Sequence, residues 1–296
     1  MGFEEFIKEA QERMQDWLGG ETQICRRAVR KNNGVVLTGL YDRNGGEVSP
    51  VLYMEPYYQA FTEAGGSREA FEETVEQIKE QYAAADRGGT VRELARSMGN
   101  FEAVKNRLSY RLVGREGNEE LLRESPHKNF LDLAAVLELY IDAGEDGAYS
   151  IPVRNQHMEM WGADTEELFR LAERNTPVLK PPVLYGMREM LGLPPVKGEK
   201  EALHVLTNQS GIHGAAVMLY KGALQLASEK LGGDLLILPA SVHELILGRW
   251  EEGLDPGKVQ ELVRIVNREE VERTERLSDH AYRYIQAEDR VEFLEE

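Results

Sequence analysis

The chain has 296 residues, 42% of them hydrophobic and 8% aromatic, enough to bury one large core or two of ordinary size. Its 35 basic and 52 acidic residues leave a formal charge of −17, which excludes binding a phosphate backbone by general electrostatics and suits a soluble surface or an acidic face that docks on a basic protein. Cys25 stands alone, so no intramolecular disulfide forms; a reducing compartment and the absence of any membrane-length apolar run give the cytoplasm as the expected location.

Phe3, Phe6, Ile7, Ala10, Met14 and Trp17 recur at helical spacing and predict a helix over residues 3–18, stopped by Gly19 and Gly20. That stretch lacks the basic start and apolar run of a secretory signal, and Phe6 breaks the myristoylation pattern. Asn33 and Gly34, which tolerate positive φ, lie between two alternating apolar runs and predict that residues 24–31 pair with 35–42. Pro50 and Pro56 interrupt EVSPVLYMEPYYQAF, which reads as an edge strand or a short helix. Its Tyr53, Tyr57 and Tyr58 form either a recognition surface or the packing of a helix on the hairpin. Ser67 can cap a helix over 67–84 that carries Phe71, Val75, Ile78 and Tyr82 on one face.

A short helix near 101–107 and a strand near 108–113 follow, with a lobe boundary placed at residue 125. An apolar run over 131–141, a turn of glycine and acidic residues at 143–147 and a short strand read as a second hairpin, helix competing with strand for the first run. Asp164 and Glu167 open a helix over 165–174 that Asn175 and Pro177 end, and a short helix over 183–191 stops at Gly192. Near the carboxyl end, Asp255 caps a helix marked by Val259, Leu262, Val263 and Val266, and the last thirty residues read as helix and exposed tail.

Residues 205–249 are the most informative stretch: strand 203–207, a helix over 211–231, Gly232 and Gly233, strand 235–239, then a short helix after Ser241. If both strands join one sheet they are parallel, and their carboxyl ends bring Asn208, Gln209, Ser210 and His213 to the edge that carries Ser241, His243 and Glu244. Ligands commonly sit at such an edge, where backbone N–H groups and a helix dipole favour an anion. His213, His243 and Glu244 can supply three metal donors, yet no HExxH or comparable spacing supports a metal, and none is expected. Structure alone explains much of the same polarity, because Ser241 and Glu244 have capping-box spacing. No GxxxxGK[ST], GxGxxG or GxSxG stands at any turn, and His127, His157, His204 and His280 form no cluster in the sequence.

The stretches KNNGVVLTGL, SPVLYMEPYY, VLTNQSGIHGAAVMLY and DLLILPASVHEL resemble a family of Firmicute proteins known as domain of unknown function 5688. That resemblance implies members largely in gut Clostridia, often near mobile-element genes, and brings no catalytic residue with it. A strand–helix–strand ending in proline is more distantly similar to the YtpQ type of bacterial protein, also of unknown function.

The elements predict an α+β protein of two interlocked lobes, 1–125 and 126–296, with β-hairpins packed by helices and a strand–helix–strand unit at 203–247. The expected role is non-catalytic, interaction or regulation, with no cofactor, no direct nucleic-acid binding, no membrane, and a partner protein that is basic. The expected binding residues are Asn208, His213, His243 and Glu244, joined by Tyr53 and Tyr57. The competing expectation is a metal-assisted or acid–base hydrolase at the edge formed by 208–213 and 241–244.

Overall fold

The computed structural model of the chain describes residues 1–20, 22–44, 51–86, 96–142, 148–194 and 201–295, which form two compact units, Met1–Met98 and Gly99–Glu296. It is an α+β fold with antiparallel sheets, and among the described residues no helix is long and apolar enough to cross a membrane.

The first unit packs α1 (Phe3–Leu18), α2 (Met54–Glu63) and α3 (Arg68–Asp86) with a sheet of β1 (Ile24–Arg30), β2 (Val36–Asp42) and β3 (Val51–Tyr53). The hairpin forms as expected, because Asn33 and Gly34 both take positive φ, 56° and 67°, and Ile24 pairs with Asp42. Residues 51–63 are both strand and helix, while Pro50 lies outside the described residues. Phe6, Phe61 and Phe71 fill the core, Phe6 and Phe71 edge to face at 5.6 Å between centroids. Ser67 Oγ accepts from Ala70 N at the start of α3, as its capping chemistry requires. Trp17, placed on the buried face by spacing, is 43% exposed in the last turn of the helix, with its ring edge to face against Tyr82.

In the second unit α4 (Phe101–Val104) leads into β4 (Leu108–Gly114), followed by α5 (Glu119–Glu124), β5 (His127–Phe130), β6 (Leu133–Asp142) and β7 (Ala148–Pro152). β6 is the central strand, paired antiparallel with β4, β5 and β7. β4 precedes residue 125 in sequence and pairs over Leu108–Gly114 with β6. The second hairpin therefore forms, although its turn at 143–147 lies outside the described residues. After α6 (Asn155–Trp161) comes α7 (Thr165–Leu179), opened by Asp164 Oδ1 accepting from Glu167 N. Asn175 and Pro177 do not end α7. Asn175 instead donates to the Lys105 and Leu108 carbonyls, and Pro177 falls in the last turn, after which Lys180 N still bonds Thr176 O.

The remaining chain builds a six-stranded sheet from β8 (Pro182–Gly186), which α8 (Met187–Met190) follows, β9 (Leu203–Asn208), β10 (Leu235–Pro239), β11 (Leu245–Arg249), β12 (Tyr282–Ile285) and β13 (Arg290–Phe293), in the order β13-β12-β10-β11-β9-β8. The helix expected over 183–191 is thus a strand with a single helical turn after it. The helix expected over 211–231 is a 3₁₀ segment, Gly214–Leu219, and α9 (Ala223–Leu231), separated by Gly222 at φ 78°. α10 (Pro256–Glu269) starts at Asp255, whose carboxylate accepts from Lys258 N.

Two further expectations are corrected here. Residues 245–249 form β11, not a helix: Leu245 and Leu247 are fully buried while Ile246 is half-buried, an alternation that a five-residue apolar run shares with a helix turn. β9 and β10 are parallel, as reasoned, but β11 lies between them and pairs antiparallel with both. The carboxyl-terminal segment is no exposed tail, because Tyr282 and Tyr284 of β12 are among the largest fully buried side chains.

Candidate functional site

The carboxyl ends of β9 and β10 do share an edge, and there the 208–214 turn closes against the 240–244 turn. Asn208 ties its own turn: Oδ1 accepts from Ser210 N and Oγ at 3.0 and 2.8 Å, and Nδ2 donates to Ile212 O at 2.8 Å. Thr207 Oγ1 donates to His243 O at 2.8 Å, and Ala215 N donates to Val242 O at 3.3 Å. Gly214 lies at this crossing, where a Cβ would collide with Thr207 Oγ1, His243 O and, at 2.8 Å, Asn208 N. His213 takes a left-handed conformation, φ 53° and ψ 33°, which histidine tolerates better than a β-branched residue.

His213 and His243 stack with ring centroids 5.7 Å apart and planes at 8°. The backbone N–H of His213 donates to His243 Nδ1 at 3.2 Å, so a neutral His243 carries its proton on Nε2, 3.8 Å from Glu275 Oε1. Among the described residues no three His, Cys, Asp or Glu side chains gather to hold a metal.

Beneath His213 lies a group of charges that the sequence reading missed. Glu138, on β6, is 1% exposed and its Oε1 is in contact with Lys180, which is 2% exposed and follows the end of α7. Its Oε2 is flanked by Arg111 Nε of β4 at 3.7 Å and His213 Nδ1 at 3.6 Å, both beyond hydrogen-bond reach. Ser109 is the direct cross-strand partner of Glu138, so the two side chains share a face. Among the described residues, Ser109 Oγ, Glu138 Oε2 and His213 Nδ1 are all buried without a hydrogen-bond partner. Tyr140 sets its ring 5.3 Å from Lys180 Nζ, and Tyr220 donates its hydroxyl to Lys180 O at 3.2 Å.

Burial alone would raise the Glu138 carboxyl, but Lys180, then His213 and Arg111, overcome it and hold the group well below the usual carboxylate range. Burial pushes His213 down; the facing Glu138 opposes that shift, while Arg111 and Lys180 add to it. Desolvation also lowers Arg111, with Glu138 pulling the other way. The result is an ionised carboxylate beside an imidazole held in its neutral form.

Of the expected binding residues, Asn208, His213 and His243 come together. Glu244 forms no capping box: it is half-buried, its backbone carbonyl accepts from Ser241 N, and its side chain makes no hydrogen bond or ion pair among the described residues. Tyr53 and Tyr57 belong to the first unit, where Tyr53 receives Lys31 Nζ at 4.2 Å over its ring and Tyr57 packs on the helical core.

His280, read as isolated, joins a second cluster. Its Nδ1 and Ser278 Oγ meet Asp132 Oδ2 at 3.1 and 2.6 Å, and Tyr282 donates to Asp132 Oδ1 at 2.7 Å. Leu131, just before it, has φ 53° in the tight turn joining β5 and β6, a conformation a bulky residue takes only under constraint. Here the carboxylate is satisfied by three donors, which is the pattern of a structural clamp.

Fold and site define an α+β protein with an ionic cluster in the middle of an antiparallel sheet and a histidine pair above it. The chain belongs to DUF5688, a family of unknown function, whose model matches residues 3–286. Neither the curated proteins nor the solved structures contain a match.

Proposed function

We propose that this is a cytoplasmic, non-catalytic binding protein with a regulatory or interaction role, which takes a small polar ligand at the His213 edge. The carrying observation is that Ser109 Oγ, Glu138 Oε2 and His213 Nδ1 are buried with no hydrogen bond among the described residues closer than the 3.6 Å approach of the last two to each other. Buried polar atoms are almost always paired, and a bound water or ion or a catalytic role is among the explanations for an exception. The single free thiol supports the compartment, and the net charge of −17 supports a basic protein partner.

A thermal-shift screen of mixed neutral, cationic and anionic small molecules tests this reading on the wild type and His213→Ala. Compounds that stabilise the wild type alone are expected; a screen in which no compound separates the two proteins overturns the reading. An acid–base hydrolase at the same edge is the second reading, favoured by the Glu138 carboxylate facing His213 Nδ1 at 3.6 Å. Ester or amide turnover that His213→Ala abolishes decides for the hydrolase.

A further inference from the structure

The ligand class follows from the charges and donors at this site. Arg111 and Lys180 bring two cations to one buried carboxylate, Glu138. Lys180 is in contact with Oε1 and neutralises it, which leaves the Arg111 charge without a dedicated counter-ion. Arg111 makes no hydrogen bond among the described residues; its one ion pair is the 3.7 Å approach to Oε2, and its side chain is 17% exposed. His213 behaves alike: Nδ1 is buried against Oε2, while Nε2 has no partner among the described residues and the side chain is 21% exposed.

A guanidinium and an imidazole nitrogen therefore flank the same carboxylate oxygen, on side chains that are each partly exposed. The neighbouring charges do not alter the balance, since Arg154 is paired with Glu124 at 3.2 Å and Glu275 faces His243. A cationic ligand would be repelled by the partly exposed Arg111 charge.

We propose that the site binds a small oxyanion, a carboxylate or phosphate group, held by the Arg111 guanidinium and by His213 Nε2–H. This rests on the ligand-binding reading above. Arginine is suited to the task because its fork donates two parallel bonds to one oxyanion. A consequence concerns the proton. With Nδ1 facing the Glu138 carboxylate, Nε2 can donate to an anion without turning Nδ1 into a second lone pair against Oε2 only if both nitrogens are protonated. Oxyanion binding therefore takes up a proton at His213 and strengthens as pH falls, while Glu138, Arg111, Lys180, His243, Glu275, Tyr140 and Tyr220 are the charged or titratable groups around it.

The test is calorimetric titration of the full chain with sodium acetate and with inorganic phosphate, ionic strength held by sodium chloride, at about pH 6 and about pH 8. Acetamide serves as the neutral control. One anion or both are expected to bind with proton uptake, more tightly at the lower pH, and about 10–100-fold more weakly in Arg111→Gln, the range for losing a charge-assisted hydrogen bond. Arg111→Lys should recover part of the loss. Which anion binds names the group. If Arg111→Gln does not fold, the Nε–Hε resonance of Arg111 in the wild type replaces it, and it must shift saturably with anion. No binding beyond chloride, equal binding by Arg111→Gln, or an unmoved resonance overturns the proposal. Discrimination of His213→Ala by neutral compounds alone overturns the anion while leaving the ligand-binding reading intact.

Discussion

Replacing either partner of the Glu138–Lys180 pair should be among the most destabilising changes in the second unit, and the two singles should differ. Removing one member of a buried ion pair strands the other in low dielectric and costs about 3–5 kcal/mol. With exposures of 1% and 2%, neither group can recover water without rearranging the sheet. Lys180→Met leaves Glu138 with Arg111 at 3.7 Å and His213 at 3.6 Å, two partial substitutes, so its cost belongs at the lower end, about 3 kcal/mol. Glu138→Leu leaves Lys180 and Arg111 without any anion and should cost about 5 kcal/mol. At roughly 2–4 °C per kcal/mol for a unit of this size, the melting temperature falls by about 6–12 °C and about 10–20 °C respectively. The double variant Glu138→Leu/Lys180→Met removes both members of the pair and strands only the partly exposed Arg111, so it should lie within about 2 kcal/mol of the wild type. Chemical unfolding followed by tryptophan fluorescence measures all three. Single variants that cost under about 1 kcal/mol, or a double that costs the sum of the singles, would refute the reasoning.

Gly214→Ala places a methyl group against Thr207 Oγ1 and the His243 carbonyl and should cost about 3 kcal/mol, with loss of the His213 N–H to His243 bond seen as faster amide exchange at His213. Stability should fall on acidification. The folded His213 lies below the ordinary value of 6.5, so its contribution is present above 6.5 and is lost as pH drops through the folded value, with Glu138 continuing the loss below 4.5. Denaturant curves at about pH 7.5 and about pH 5.5 check the sign, and His213→Asn should flatten the slope; a rise in stability towards acid contradicts it. Asp132→Ala leaves the buried Tyr282 hydroxyl without its acceptor and should cost about 2–3 kcal/mol, against about 1 kcal/mol for Tyr282→Phe, read from melting temperatures.

The local elements were legible because short-range chemistry sets them: Asn33 and Gly34 demand a turn, Ser67 and Asp255 cap, and Phe71, Val75 and Ile78 keep helical spacing. Residues 245–249 misled because LILGR satisfies both periods, and the strand wins by filling the gap between β9 and β10. The edge holding His213 and His243 followed from strand direction alone. The ionic cluster did not, since Arg111, Glu138, Lys180 and His213 come from four separate elements. A signal was nonetheless present, for LSYRLVG and LAAVLELYID each carry one charge inside an apolar strand, and two such strands pairing put those charges on one face. The Asp132 cluster had no local trace, because its partners Ser278, His280 and Tyr282 lie 146–150 positions away.

The most direct measurement is a crystal structure grown with a bromine-bearing carboxylate, read through the anomalous signal of bromine. The account predicts a peak beside Arg111 and His213, with carboxylate oxygens within about 3 Å of the guanidinium and of Nε2. Crystals in which neither this compound nor soaked phosphate occupies the site, with Arg111 hydrated and His213 Nε2 bonded to protein, would contradict it.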